Sequence, residues 1–238
     1  MIFGAILAGG VGSRMKMSDM PKQFLLLGYK PIVIHTLEKF LLNTRMDKVY
    51  VGVHPDWLDY MEDLIEKYIV FRKEDIVCVA GGGDRNSTIM NIVDAIEAEF
   101  GENEDDYIIT HDSVRPFVTA RILDENIECV IKYNACDTVI PATDTIVEAK
   151  DNIIISDIPE RKYMYQGQTP QSFKIGLLKK LFRELSEEEK GILTDACKIC
   201  LMRGVPVHLV EGEVSNLKIT TVTDYKIAQA LIGGVLSD

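Results

Sequence analysis

The chain has 238 residues, of which 47% are hydrophobic and 26% charged, and its formal net charge is −11. These values are typical of a globular protein that can bury a substantial core. The negative charge disfavours nucleic acid as a partner, because duplex binding depends on clustered Lys and Arg. No apolar run approaches the roughly 20 residues of a membrane span, and no signal-like segment begins the chain, so we expect no membrane partner and a cytoplasmic location.

Apolar segments rich in β-branched residues alternate with amphipathic segments through the first 140 residues. The predicted strands cover residues 2–8, 47–53, 75–80, 106–110 and 135–141. The predicted helices, where apolar residues recur at helical spacing, cover residues 31–43, 55–68, 86–99 and 120–133. This alternation predicts one α/β domain over residues 1–238, Rossmann-like, with a mostly parallel twisted sheet and helices on both faces. Ligands of such sheets bind at the carboxyl ends of the strands.

The alternation stops at residue 142. Residues 144–148 and 153–157 are predicted to be two short strands joined by a turn at 149–152. This β-hairpin arm, at about 142–160, would be marginal alone, so it packs either on its own domain or on a second subunit. Beyond the arm the pattern predicts helices at 174–185, 194–203 and 223–233 and a strand at 206–210.

A glycine-rich loop follows the first predicted strand and contains Gly9, Gly10 and Gly12. Glycines let the backbone approach a ligand closely and direct its N–H groups at it. Arg14 and Lys22 add two fixed cations where negative charge would lie. The loop is neither a dinucleotide fingerprint, because position 15 is Met, nor a triphosphatase P-loop. It is therefore either a phosphate-binding loop of another kind or a plain tight turn.

A second glycine-rich turn, Gly81 to Gly83, is followed by Arg85 and opens a predicted helix. It could contact a base or a ribose. Asn86, Ser87 or Thr88 could also serve as the N-cap of the helix.

Asp112 follows the fourth predicted strand. A carboxylate at this edge, near a phosphate loop, could hold Mg²⁺ against a triphosphate, because magnesium takes one or two carboxylates plus phosphate oxygens. Alternatively, Asp112 caps a turn or pairs with Arg115. The neighbouring His111 could orient these groups or act on substrate.

Further polar residues follow the arm. Arg161, Thr169 and Thr194 could bind a phosphate and hydroxyl groups, although Thr194 could equally cap a helix. Lys218 lies in an apolar segment predicted to be a strand, where its burial would need an anionic partner. The five cysteines are odd in number and scattered, which favours reduced thiols, and Cys197 and Cys200 are predicted to be buried on a helix face.

Six spaced motifs together resemble the cytidylyltransferases that act on sugar-alcohol phosphates. They are residues 7–15 with 21–23, Arg85 with Thr88, Asp112 with Arg115, residues 169–171, Thr194 with Asp195, and Asn216 with Lys218. The resemblance extends over nearly the whole chain. Residues 111–117, 165–171 and 193–198 resemble the branch that uses ribitol 5-phosphate more than the branch that uses 2-C-methyl-D-erythritol 4-phosphate. The second branch tends to have Asp at the position that Ser215 occupies here. This chain therefore differs from that branch at the position considered for a second metal ligand.

The resemblance implies a nucleotide-diphospho-sugar transferase fold, Mg²⁺ as cofactor and a homodimer formed through the β-arm. It implies a CTP-binding set of Leu7, Ala8, Gly9, Gly10, Gly12, Gly82, Asp84, Arg85, Thr88 and Asp112. It implies catalytic roles for Arg14, Lys22 and Lys218, with Asp112 as the metal ligand. The implied polyol-phosphate set is Ser113, Arg115, Thr145, Arg161, Thr169 and Thr194, of which Thr145 and Arg161 reach the partner's site.

The implied chemistry is consistent with the residues present. A phosphate monoester is already anionic, so its attack on CTP needs no general base, and catalysis depends on alignment and charge neutralisation. An NAD-dependent oxidoreductase is disfavoured by the missing third glycine. A non-catalytic nucleotide-binding regulator would be expected to have lost Lys22, Asp112 or Lys218, and all three are present.

Overall fold

The computed structural model describes residues 1–10, 20–193 and 195–235. Gly12, Arg14 and Thr194 lie outside these ranges. The strands are β1 Ile2–Ala8, β2 Leu26–Leu27, β3 Lys30–Pro31, β4 Lys48–Val53, β5 Ile76–Ala80, β6 Tyr107–Asp112, β7 Ala135–Pro141, β8 Tyr165–Lys174 and β9 His208–Glu211. The helices are α1 Ile32–Leu42, α2 Leu58–Tyr68, α3 Arg85–Phe100, α4 Ala120–Tyr133, α5 Ile175–Arg183, α6 Glu187–Gly191, α7 Ala196–Met202 and α8 Val222–Val235. The strands and helices predicted before residue 142 are confirmed, with small differences at their ends.

Seven strands form the central sheet in the order β5-β4-β1-β6-β8-β7-β9, and β2 pairs with β3 in a separate hairpin. Neighbours pair in parallel except on both sides of β8, which is antiparallel to β6 and β7. The predicted mostly parallel sheet is confirmed. Because β1 lies inside this sheet, both of its faces are buried and its sequence is a continuous apolar run.

Apolar side chains cover both faces of the sheet. Alternate residues of β1 point to opposite faces: Phe3 and Ala5 pack with helices α3, α5 and α7, whereas Ile6 and Ala8 pack with α1, α2 and α4. Cys197 and Cys200 are buried on α7, and all five cysteines are free thiols, as predicted. No helix in the described ranges is long and apolar enough to cross a membrane.

Strand β8 was not predicted. Its sequence contains Gly167 and Pro170 and several polar residues, so it lacks the β-branched, alternating pattern of a strand. The register between β7 and β8 is interrupted between Asp137 and Val139, and Pro170, which has no N–H to donate, lies opposite this irregularity. Pairing on both sides therefore stabilises a strand that the local sequence does not favour.

The predicted two-stranded arm is wrong in detail. Residues 144–148 and 153–157 form one antiparallel bridge, between Glu148 and Asp157, and no regular strands. Asp151 accepts hydrogen bonds from the backbone N–H groups of Ile153 and Ile154, which fixes the predicted turn. Hydrogen bonds between Glu148 and residues 156–157 join the two segments, but the aliphatic side chains beyond the turn are exposed, Ile153 to 85%, and do not pack on the described part of the chain.

The strand predicted around Lys218 is also wrong. The segment is irregular, and the backbone N–H of Ile219 donates to the carbonyl oxygen of Val114 (2.9 Å). Ile219 and Val114 pack with the β2–β3 hairpin and α8 in a small apolar cluster. Lys218 is thereby held beside the loop that follows β6.

Candidate active site

A cavity of about 340 Å³ lies at the carboxyl ends of β1, β5 and β6. It brings together eleven residues that were predicted from distant motifs: Leu7, Gly9, Gly10, Lys22, Gly82, Asp84, Arg85, Thr88, Asp112, Ser113 and Lys218. A larger groove of about 710 Å³ is lined by the loop before β6 and the start of α5, and no predicted site residue lines it. We therefore take the smaller cavity as the site.

The start of the first glycine loop is fixed by Gln23. Its Nε2 donates to the carbonyl oxygens of Ala8 (2.7 Å) and Gly10 (2.9 Å), and the side chain is buried. Lys22, which begins a 3-10 turn at Lys22–Phe24, faces the cavity. Ala8 itself packs in the core and does not line the cavity. The sequence places Gln23 only within a motif, because nothing in it indicates which groups the Gln23 amide would hydrogen-bond.

The second glycine turn is held against the start of α3. Asp84 is the N-cap: its Oδ1 accepts from the backbone N–H of Ser87 (2.8 Å), so the predicted cap at residues 86–88 is wrong. The Thr88 hydroxyl accepts from the N–H of Gly82 (3.0 Å) and donates to the Asp84 carbonyl (2.8 Å). A Cβ on Gly82 would lie 2.4 Å from the Ser87 Cβ, so this turn requires glycine.

Asp112 stands between three cations. Its Oδ2 lies 2.9 Å from the Lys218 Nζ and 3.4 Å from the Arg115 Nε, and its Oδ1 lies 3.7 Å from the Arg85 Nε. Burial alone would raise the pKa of Asp112, but the charges of Arg85, Lys218 and Arg115 hold it well below its usual range. Lys22, Arg85, Arg115 and Lys218 outnumber the carboxylates of Asp84 and Asp112 at the cavity, which is therefore positive in a chain whose net charge is −11.

Arg115 is buried behind the cavity wall. Its Nη1 donates to the carbonyl oxygen of Asn216 (2.8 Å), and its Nε faces Asp112. Asn216 donates in turn to the carbonyl oxygen of Thr169 (2.9 Å) and to the Gln168 Oε1 (3.1 Å). These bonds join the loops that carry Asp112 and Lys218, and the predicted pairing of Asp112 with Arg115 is present.

His111 acts as an orienting group. Burial lowers its pKa to about 4, so the ring is neutral near pH 7. Its Nε2 lies 3.1 Å from the carbonyl oxygen of Arg115 and must donate there, which leaves Nδ1 to accept from the Thr169 hydroxyl (2.8 Å). That hydroxyl accepts from the Asp112 N–H (3.1 Å). The chain of bonds fixes the backbone at Asp112.

Among the described members of the predicted polyol-phosphate set, Ser113 lines the cavity, whereas Arg115, Thr169, Thr145 and Arg161 do not. Thr145 and Arg161 are exposed on the arm, where Arg161 Nη1 donates to the carbonyl oxygen of Thr143 (3.0 Å). Exposed aliphatic and aromatic side chains surround them on the arm: Val147, Ile153, Ile154, Ile155, Ile158 and Tyr163. Within one subunit the arm therefore adds nothing to the cavity wall.

The family of 2-C-methyl-D-erythritol 4-phosphate cytidylyltransferases, IspD, has a family model that matches residues 2–234. This chain belongs to that family. It is 53% identical to the ribitol-5-phosphate cytidylyltransferases of Streptococcus pneumoniae serotypes 2 and 4, over 98% of this chain and 99% of each relative.

Solved structures of the IspD family share the fold. The 2-C-methyl-D-erythritol 4-phosphate cytidylyltransferase of Francisella tularensis has a TM-score of 0.79 at 27% identity, covering 96% of this chain and 98% of that one. The 4-diphosphocytidyl-2C-methyl-D-erythritol synthase of Anaerococcus prevotii has a TM-score of 0.78 at 25% identity, covering 98% of both chains. The predicted fold class is confirmed.

Asp112 is the residue of this IspD-family site that suits a divalent cation. Among the described residues there is no group of three or more His, Cys, Asp or Glu side chains that could hold a metal. Ser215, at the position considered for a second ligand, instead donates to Glu213 Oε2 (3.2 Å). The Asp112 Oδ1 lies beyond hydrogen-bond distance of Arg85 and is available for coordination. This donor set fits Mg²⁺ held by one carboxylate together with substrate phosphate oxygens.

Proposed function

We propose that this protein transfers the cytidylyl group of CTP to D-ribitol 5-phosphate, giving CDP-ribitol and pyrophosphate. The observation that carries the proposal is the cationic cavity between two glycine turns, with Arg85, Arg115 and Lys218 around Asp112. A local positive potential in an acidic protein attracts and orients a polyanion such as a triphosphate. The choice of ribitol is supported by the 53% identity to the streptococcal enzymes.

The reaction is one displacement at the α-phosphorus of CTP. A phosphate oxygen of ribitol 5-phosphate forms the new P–O bond as the bond from the α-phosphorus to the pyrophosphate oxygen breaks. The nucleophile is already anionic, so no proton must be removed. The site therefore acts by aligning two anions and by neutralising the charge that develops on the α-phosphate and on the leaving group.

The residues that line the cavity are assigned to the two parts of CTP. The N–H groups near Gly9 and Gly10, together with Lys22, bind the triphosphate, while the turn at Gly82 frames the nucleoside. We assign Arg14 to the triphosphate from the sequence alone. The Lys218 side chain is 44% exposed in the cavity wall, so its ammonium group, which lies 2.9 Å from the Asp112 Oδ2, is also accessible to the α-phosphate. Bound Mg²⁺ would supply further charge neutralisation, with Asp112 as its ligand from this chain.

The polyol phosphate is assigned to the part of the site beyond Asp112. Ser113 lines the cavity there. The exposed aliphatic residues of the arm support a homodimer, because burying them against a second copy removes apolar surface from water. In that dimer Thr145 and Arg161 would complete the partner's polyol-phosphate site. We place the reaction in the cytoplasm, where CTP is available, and CDP-ribitol as a precursor of teichoic acid or a related surface polymer.

A second candidate substrate is 2-C-methyl-D-erythritol 4-phosphate, which the name of the matching family favours. One assay separates the candidates: pyrophosphate release from CTP with ribitol 5-phosphate, methylerythritol 4-phosphate or glycerol 3-phosphate, each with and without Mg²⁺. We expect the highest kcat/KM with ribitol 5-phosphate and no release when Mg²⁺ is removed. A higher kcat/KM with methylerythritol 4-phosphate would replace the proposed substrate, and undiminished release in the presence of a chelator would remove the metal from the mechanism.

A further inference from the structure

Beside the cavity, one face of the sheet carries a row of polar side chains that no role in CTP binding explains. Thr110 on β6 pairs with Gln171 on β8, and Gln171 pairs with Asp137 on β7. Directly paired residues lie on the same face of a sheet. Asp112 lies two residues after Thr110 on the same strand, so it shares this face too. The row therefore leads from the reacting centre at Asp112 to Asp137.

Several buried polar atoms on this face have no hydrogen-bond partner among the described residues. They are the Asp137 Oδ1, the Gln171 Oε1 and both terminal nitrogens of Arg85. Gln171 is only 1% exposed, and its Nε2 already donates to the Asp195 Oδ2 (2.7 Å). Leaving buried acceptors and donors unpaired is costly, so such a set is expected to meet a ligand that supplies both.

The unpaired atoms have the chemistry of a hydroxyl-binding site. Each alcohol group of a polyol donates one hydrogen bond and accepts others, so it can bridge a carboxyl or amide oxygen to a guanidinium N–H. Burial and the nearby Asp195 raise the pKa of Asp137 to about 7, so near neutral pH this carboxyl group both donates and accepts. An apolar ligand would leave every one of these atoms unpaired.

The position of the row favours the polyol over the nucleotide. In the sheet, β1 and β5, which carry the glycine turns, lie on one side of β6, whereas β8 and β7 lie on the other. Asp137 is two strand spacings from β6, about 10 Å, which is comparable with an extended five-carbon polyol phosphate. Gln171 also contacts Asp195, the N-cap of α7, which directly follows Thr194.

We propose that Asp137 and Gln171, with the terminal nitrogens of Arg85, bind hydroxyl groups of the polyol chain far from its phosphate and so determine which polyol phosphate is used. The proposal rests on the proposed function, because it assigns the second substrate of that same reaction to residues beside the cavity. Asp137 acts here as a specificity-determining residue and takes no part in the bond that forms.

The test compares wild type with Asp137→Asn and with Asp124→Asn, a matched control. Asp124 is also half-buried and hydrogen-bonded, to Asn43, but it lies on α4, which packs on the opposite face of the sheet. The quantities measured are KM for ribitol 5-phosphate, KM for CTP, and the inhibition constant of glycerol 3-phosphate, which lacks the distal hydroxyl groups. Asp137→Asn is expected to raise KM for ribitol 5-phosphate about tenfold, equivalent to about 1.4 kcal/mol. It should leave the other two constants within twofold, and Asp124→Asn should change none of the three.

The outcomes separate the specificity role from a structural one and from the proposed function. A general distortion of the site by Asp137→Asn would raise all three constants together and would overturn the proposal, as would no change in any of them. If Asp137→Asn does not fold, Asp137→Glu, which keeps the carboxyl group but displaces it, is held to the same criteria. A wild type that uses methylerythritol 4-phosphate but not ribitol 5-phosphate would overturn the proposed function and this inference together. If the wild type uses ribitol 5-phosphate but Asp137→Asn does not selectively raise KM for that substrate, the inference alone would be overturned.

Discussion

The carboxyl group of Asp137 should make the stability of the ligand-free protein depend on pH. Burial and the charge of Asp195 raise the pKa of Asp137 from 3.8 to about 7 in the folded chain. A raised pKa means that the folded state holds a proton that the unfolded state has released, so stability falls as the pH rises from about 4 to 7. Above pH 7 the folded state carries an unfavourable buried charge.

The size of the effect follows from the two pKa values. Between pH 5 and pH 8 the wild type should lose about 2.5 kcal/mol of unfolding free energy through this one group. Asp137→Asn keeps the shape and does not titrate, so its unfolding free energy should not contain this loss. Other titrating groups, including His111, contribute equally to both proteins and cancel in the difference.

Urea unfolding of both proteins at pH 5, 6, 7 and 8, at constant ionic strength, measures this difference. The stability of Asp137→Asn relative to wild type should increase steadily from pH 5 to pH 8. A difference that is constant over the range would show that Asp137 does not titrate near neutral pH. A constant difference in which Asp137→Asn is the less stable protein at every pH would show that Arg85 holds Asp137 ionised, which would refute the weight given to burial.

Three further predictions concern Lys218, the second glycine turn and the arm. Lys218→Ala should lower kcat about 100-fold or more while changing stability little, since Arg85 and Arg115 still face Asp112. Lys226→Ala, at an exposed position on α8, is the control. A kcat of Lys218→Ala within threefold of wild type would contradict the charge-neutralising role of Lys218. Gly82→Ala should cost about 1–3 kcal/mol in urea unfolding because its Cβ would overlap Ser87, and it should raise KM for CTP. Gly83→Ala, whose added Cβ has no atom within 4 Å, should not lower the unfolding free energy, and equal losses of stability at both positions would refute the steric argument. The double variant Ile153→Asp with Ile154→Asp should be a monomer by sedimentation and should release pyrophosphate much more slowly than wild type. Val70→Asp, at a residue that is 90% exposed on another surface, should change neither property. A fully active monomer would exclude a site shared between subunits.

The local residue pattern was sufficient to predict the strands and helices whose own sequences favour that secondary structure. β1 and the helices up to α4 have the apolar spacing of buried strands and amphipathic helices, and the structure has them at nearly the predicted positions. The glycine turns and Asp112 were found because each follows a strand, and the carboxyl ends of parallel strands meet at one edge. The sequence by itself therefore determined the fold class and the part of the candidate site that the glycine turns and Asp112 form.

The remaining features depend on pairing and packing between segments far apart in the chain. β8 exists because β6 and β7 pair with it on both sides, although Gly167 and Pro170 make its own sequence a poor strand. Lys218 reaches Asp112 from an irregular segment, which Asn216 holds by hydrogen bonds to Gln168 and Thr169. Asp137 meets Gln171 only through strand register. Tertiary structure alone decided these features, because hydrogen bonds and burial between distant residues leave no periodic signal in the local sequence.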